Sequence, residues 1–275
     1  MLSIPKFTPK CQSNRHPHLI RVWICQNFCK ICADDVDFSA FMVVFWYDSR
    51  INFVVIFMTI ATLSSSNQAH PNPQNLSKPI LSLMQVDVQR GDFLLCQGVD
   101  VQLFAGDICH LIGENGLGKT TLMSQIAGLL PMMTGSATIN GACVYVSHQL
   151  GISPALTVGQ NLRFLLSLYG VEADDKVLEG ALEQVGLQGL ADVSSVQLSA
   201  GQMRRVGLAR LFVLDASDAP FWLLDEPLTA LDVAMVARLE ARIGQFARDG
   251  GAVLMTSHQA TQATNCTLDL AEFAV

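Results

Sequence analysis

The sequence predicts an α/β fold, and three observations carry the prediction. Residues 80 to 106 alternate apolar with other side chains (Leu81, Leu83, Val86, Val88, then Val99, Val101, Leu103), which is the period of antiparallel strands. The apolar run Ile108 to Ile112 then meets the glycine-rich stretch Gly113-Glu114-Asn115-Gly116-Leu117-Gly118-Lys119-Thr120. After it, Thr121 to Leu130 sets Leu122, Ile126 and Leu130 on one helical face. Further on, Ala142 to Val146 and Phe221 to Leu224 are short apolar runs of the kind that make buried strands, the second ending in Asp225-Glu226.

Composition bounds the rest. The 275 residues are enough for one α/β domain with an inserted subdomain and a core that needs no disulfides. The net charge of −7 is unevenly spread, with 7 Lys+Arg against 4 Asp+Glu in residues 1–79 and 10 against 20 in 80–275. So acidic a body carries no electrostatic footprint for DNA or RNA, and no nucleic-acid partner is expected. Eight cysteines divide evenly between these two parts. Those at 96, 109, 143 and 266 sit among apolar or small residues and are expected to be reduced core thiols.

Residues 1–79 differ in character from residues 80–275 and admit three readings. Phe38 to Leu63 is apolar, but Asp48 and Arg50 cut it into pieces of 10 and 13 residues, each short of the ~20 that span a bilayer. Cys25, Cys29 and Cys32, with His16 and His18 upstream, offer metal ligands but no second clean pair. The third reading is a disordered leader or a mis-assigned start: Met58 opens a stretch in which Ser, Asn, Gln and Pro come to dominate. This last is the expectation, with a hydrophobic anchor as its alternative.

The glycine-rich stretch fits the P-loop pattern and lies where a P-loop belongs, between a strand and a helix. Its backbone N–H groups and the helix N-terminus are expected to face a triphosphate, with Lys119 reaching the β/γ oxygens and Thr120 a Mg²⁺. Downstream, Ser147-His148-Gln149 closes a strand. Ser199 stands as N-cap before a helix whose first turn holds Gly201, a ready anion site. The charge-free run before Asp225 places its carboxylate at the sheet's carboxyl edge, in reach of a metal shell. Ser257-His258 follows another apolar strand. Arg204 and Arg205 are expected on a solvated or interface face.

The order of P-loop, Gln149, Leu198-Ser199-Ala200-Gly201-Gln202, Asp225-Glu226, Asp232 and His258 resembles the ATP-binding-cassette (ABC) ATPases, over residues 80 to 260. The resemblance implies a P-loop NTPase core of ABC type with an antiparallel β subdomain and an α-helical insert at about 152–198. It implies ATP and Mg²⁺ as cofactors, the phosphates held by residues 113–120 and Thr121, and the metal by Thr120, Asp225 and Gln149. Glu226 becomes the general base, with Gln149 and His258 beside the attacking water and γ-phosphate. Ser199, Ala200, Gly201 and Gln202 become a signature that acts on the ATP of a second subunit, across a seam bridged by Asp232. The aromatic that stacks on adenine in this family is missing, leaving Arg90 or Phe93 in its place. Ser147 to Gln149, the paired arginines after the signature and Thr256-Ser257-His258-Gln259 are similar to the ATP-binding subunits of haem exporters in cytochrome c biogenesis. That likeness implies separate integral-membrane subunits and a peripheral location on the cytoplasmic face of the bacterial inner membrane. The alternatives are the ATPase of another ABC efflux system and a soluble ABC ATPase without a transport role.

Overall fold

The structure, a computed structural model, describes residues 78–257 and 263–275, together with the backbone of two short strands nearer the N-terminus. The chain divides into two compact units, Met1–Thr59 and Ile60–Val275. In the first, β1 (Val22–Cys25) pairs antiparallel with β2 (Met42–Phe45). The leader, anchor and Cys/His ligand readings fall on residues and side chains outside the described ones.

In the second unit, β3 (Leu81–Arg90) and β4 (Phe93–Leu103) form a hairpin in which Arg90 faces Phe93 across a two-residue turn. Strand β6 (Ser136–Ile139) adds to the other edge of β3, giving the antiparallel sheet that the alternation of residues 80–106 requires. The second sheet is wholly parallel. It contains β5 (Ile108–Ile112), β7 (Cys143–Val146), β8 (Phe221–Leu224), β9 (Ala252–Met255) and β10 (Cys266–Asp269), in the order β10-β5-β9-β8-β7.

Strands β8 and β9 carry no charged side chain because both faces of the sheet are covered. Alternation sends Trp222, Leu224, Val253 and Met255 into one core and Phe221, Leu223, Ala252 and Leu254 into the other. The second core also holds the buried face of the antiparallel sheet and of helix α1 (Lys119–Ile126). The first core is covered by α2 (Val158–Ser167), α3 (Asp175–Gln184), α4 (Ala200–Ala209) and α5 (Val233–Arg248). The ends of the α2–α3 region are pinned together: Val158 N–H donates to the Val193 carbonyl at 3.0 Å, and the buried Asn161 donates to Ser195 Oγ at 2.8 Å.

Several elements are shorter than their periodicity suggests. α1 stops at Ile126 because Gly128 takes a φ of 72°, so Leu130 leaves the buried face and is 40% exposed. On α3, Leu178 and Leu182 are buried, whereas Val177 is exposed. α4 gives way after Ala209 to a 3₁₀ turn at Arg210–Phe212. Cys109 and Cys266 lie opposite one another on β5 and β10, and burial pushes both thiols above their ordinary value, away from reactivity.

Trp222 anchors the first core: it is fully buried, stacks on Phe246 at 3.7 Å between ring centroids, and lies 5.4 Å beneath the Arg242 guanidinium. Trp222→Ala is expected to cost about 3–5 kcal/mol in denaturant unfolding. Because its indole N–H has no partner, Trp222→Phe should cost clearly less. Equal losses in the two variants would show that the ring stack is not what holds this face.

Candidate active site

The carboxyl ends of β5, β7, β8 and β9 converge, as open parallel sheets require of a ligand site. β5 runs into the P-loop, β7 into Ser147-His148-Gln149, β8 into Asp225-Glu226 and β9 into Thr256-Ser257. The described helices differ at their amino ends. α2 and α4 carry full capping boxes, and α3 and α5 are capped by Asp174 and Asp232. α1 has Gly118 as N-cap, no side-chain cap and no acidic residue in its first turn. Its first-turn N–H groups are therefore left for an anion.

The glycines make the loop possible. Gly118 has a φ of 103°, and a Cβ there would lie 2.8 Å from Val88 Cγ1, so the loop packs directly on the β3–β4 hairpin. Gly116, at a φ of 91°, has open space around it. Lys119 Nζ donates to the carbonyls of Gly113 (2.6 Å) and Glu114 (3.0 Å), which anchors the ammonium on the loop.

This loop forms one wall of a cleft of about 830 Å³. Arg90 and Phe93 form another wall, so the hairpin turn brings both candidate base-stacking residues to the site. The Phe93 ring is 76% exposed, a flat apolar surface at the mouth. Thr120, His148, Asp225 and Glu226 line the rest.

Asp225 is 1% exposed. One carboxylate oxygen, Oδ1, accepts from Thr256 Oγ1 at 2.9 Å, whereas Oδ2 has no hydrogen-bond partner and lies 3.7 Å from His148 Nε2. An unsatisfied buried carboxylate oxygen beside a P-loop threonine fits Mg²⁺. That ion takes one or two protein oxygens and completes its shell with phosphates and water. Glu226 has a φ of 53°, which turns the chain sharply out of β8. Its N–H donates to Thr256 Oγ1 at 2.8 Å, and its Oε2 accepts from Thr229 Oγ1 at 3.2 Å.

Gln149 is exposed and its main chain is bound to Ser147 Oγ. Its neighbour His148 is the one that lines the cleft. Ser199 and Gln202 cap each other reciprocally, and neither they nor Ala200 and Gly201 line this cleft. Asp232 accepts from Met235 N–H at 2.9 Å, which with the Arg205 guanidinium holds its carboxyl below the usual range. His258 lies outside the described residues.

Two arginines of α4 hold the loop that follows β8. Arg204 donates to the Glu226 carbonyl and Arg205 pairs with Asp232 in a solvent-exposed contact, so both grip the β8–α5 loop from the surface of α4. Sequence reasoning had no pattern from which to find Arg204 or Thr256, since their partners lie 22 and about 30 residues away.

A family match to "ABC transporter" spans residues 96–229. The chain is 41% identical over 204 residues to the cytochrome c biogenesis ATP-binding export protein CcmA of Saccharophagus degradans, covering 67% of this chain and 90% of the relative. It is 38% identical over 198 residues to the protein of the same name from Vibrio cholerae, covering 68% and 94%. The chain belongs to the ABC transporter family. Among solved structures, an ATP-binding subunit of an ABC transporter superposes with a TM-score of 0.63 at 22% identity, over 70% of this chain and 85% of that one. An ATP-binding cassette solved as a dimer in a post-hydrolysis state with ADP and Pi gives 0.60 at 22%, over 69% and 94%. These two likenesses establish the cassette fold.

Gly118→Ala is expected to weaken ATP binding tenfold or more, because a left-handed non-glycine residue costs about 1–3 kcal/mol and the new methyl also meets Val88. Gly116→Ala carries the backbone strain without the clash and should lose less. Titration with a fluorescent ATP analogue checks the ranking, and the reverse order would show that packing on Val88 is irrelevant.

Proposed function

We propose that this chain is the ATP-hydrolysing subunit of a haem exporter serving cytochrome c biogenesis, working as a homodimer beneath separate integral-membrane subunits at the cytoplasmic face of the bacterial inner membrane. The observation that carries the reading is the likeness, over nearly the whole length of those relatives, to ATP-binding export proteins of that process. Among the described residues no helix is long and apolar enough to cross a membrane, and a pore built by other chains fits that.

In this reading the adenine lies against Phe93 or Arg90, and the triphosphate lies along residues 113–121 with Lys119 on its β/γ oxygens. Thr120, Asp225 and Gln149 hold Mg²⁺, which when bound neutralises phosphate charge and fixes the geometry of the transferred group. Glu226 accepts a proton from the attacking water and orients it, while His258 contacts the γ-phosphate. Gln149 reaches the site as the exposed 147–149 segment moves inward. Ser199 completes a partner's cleft: its oxygen is engaged as acceptor from Gln202 N–H, which leaves the hydroxyl proton free for the partner's γ-phosphate. Asp232 lies at the seam between the two copies. Residues 80–275 are the cassette with its helical insert, and 1–79 is an extension outside it.

Two variants test the reading at two levels. Glu226→Gln is expected to retain ATP binding while turnover in the assembled complex falls by about 10²–10⁴, the scale for a positioned base. Turnover within twofold of wild type would remove Glu226 from that role. Lys119→Ala should still assemble with its membrane subunits yet leave cells without holo-cytochromes c. Normal haem attachment in a strain carrying only this variant would refute the haem-export reading and leave the ABC ATPase assignment intact.

A further inference from the structure

We propose that Thr256 is the positioning residue for both acidic groups of the ATP site, setting which oxygen of Asp225 faces the cleft and which way the chain carries Glu226. The proposal rests on the reading of Glu226 as general base and Asp225 as the metal-side carboxylate. Thr256 lies one residue beyond β9, where its N–H donates to the Leu224 carbonyl at 3.0 Å and extends the β8–β9 ladder. That pairing brings its side chain level with the two residues that follow β8. At 1% exposure it has no water to compete for its hydroxyl.

A threonine hydroxyl has one hydrogen to give and two lone pairs to receive with. Here the hydrogen goes to Asp225 Oδ1 at 2.9 Å, and a lone pair receives the Glu226 N–H at 2.8 Å. The first bond consumes Oδ1, so Oδ2 becomes the oxygen without a hydrogen bond at the cleft wall. The second holds Glu226 in a left-handed conformation, φ 53°, that a non-glycine residue rarely adopts. One atom thus separates two adjacent carboxylates into two roles. Valine has the same shape without donor or acceptor, and would leave a buried N–H and a carboxylate oxygen both unpaired.

The test compares full-length wild type, Thr256→Val, Thr256→Ser and Glu226→Gln, assembled with their membrane subunits. Three quantities are read: ATP binding in EDTA, the dependence of turnover on Mg²⁺ concentration, and the extra rise in melting temperature that Mg²⁺ gives over ADP alone. Thr256→Val is expected to bind ATP in EDTA like wild type. Its maximal turnover should fall about 10- to 100-fold, the usual loss when the partner of a metal-side ligand is removed. Its half-saturating Mg²⁺ should rise and its Mg²⁺-dependent melting shift should shrink. Thr256→Ser, which keeps the hydroxyl, should restore all three. A valine variant with lowered melting temperature but unchanged Mg²⁺ dependence and turnover would make Thr256 merely structural and overturn the proposal, as would failure of serine to rescue. If Glu226→Gln turns over normally, the base assignment falls instead. If it is inactive while Thr256→Val is like wild type, the positioning role alone falls. Should Thr256→Val not bind ATP in EDTA, Thr256→Ala is judged by the same three quantities.

Discussion

The rest of the site depends on keeping a carboxylate, Asp225, buried at the carboxyl edge of a parallel sheet. Burying such a group is costly unless its oxygens are matched, and only a few neighbours are close enough to match it. β8 and β9 are uncharged along their whole length, so the two cores flanking them close without polar compromise and the polar atoms gather at the strand ends. There Asp225 continues the ladder by donating its N–H to Val146 O at 2.8 Å, and Thr256 continues it from the other side. The sheet register therefore decides which residues meet. The chemistry of the cleft is set by strands paired far from it.

The loop after β8 is held from outside as well. Arg204 and Arg205, consecutive on α4, take the Glu226 carbonyl at one end of that loop and Asp232 at the other. Burial lowers the Arg204 pKa below its ordinary value, and the Glu226 and Asp225 charges offset this only in part. A rotation of α4 would pull on both loop ends together. These contacts link α4 to the residue that turns the chain out of β8. α4 packs on α2 and α3 as well, so one helix joins the helical insert to this loop.

Much of this was legible in the chain itself, and the unread part has a common cause. The P-loop, the four strands that feed the cleft and the buried leucines of the insert are local patterns, written within a dozen residues by spacing and by the absence of charge. The amino end of α1 could be placed because glycine and lysine there have few other uses. Its far end could not be, since Leu130 keeps the helical period while Gly128 quietly ends the helix. The roles of Thr256 and Arg204 were invisible for a different reason. A lone threonine after a strand and an arginine on a helix are ordinary, and only long-range pairing through the sheet gives them partners. Likewise, that His148 rather than Gln149 lines the cleft is decided by one hydroxyl, Ser147 Oγ, folding the segment back on itself.

The amino ends of α1 and α4 are built in opposite ways. α1 begins bare, with unsatisfied N–H groups inside the cleft, so binding a phosphate there supplies what folding left undone. α4 begins exposed and fully boxed by Ser199 and Gln202, so it is stable before any ligand arrives. Had α4 been left bare, each chain would carry a second anion trap that free phosphate could fill. Its box already engages the serine oxygen as acceptor from Gln202 N–H, so α4 offers an anion fewer unsatisfied groups than α1 does.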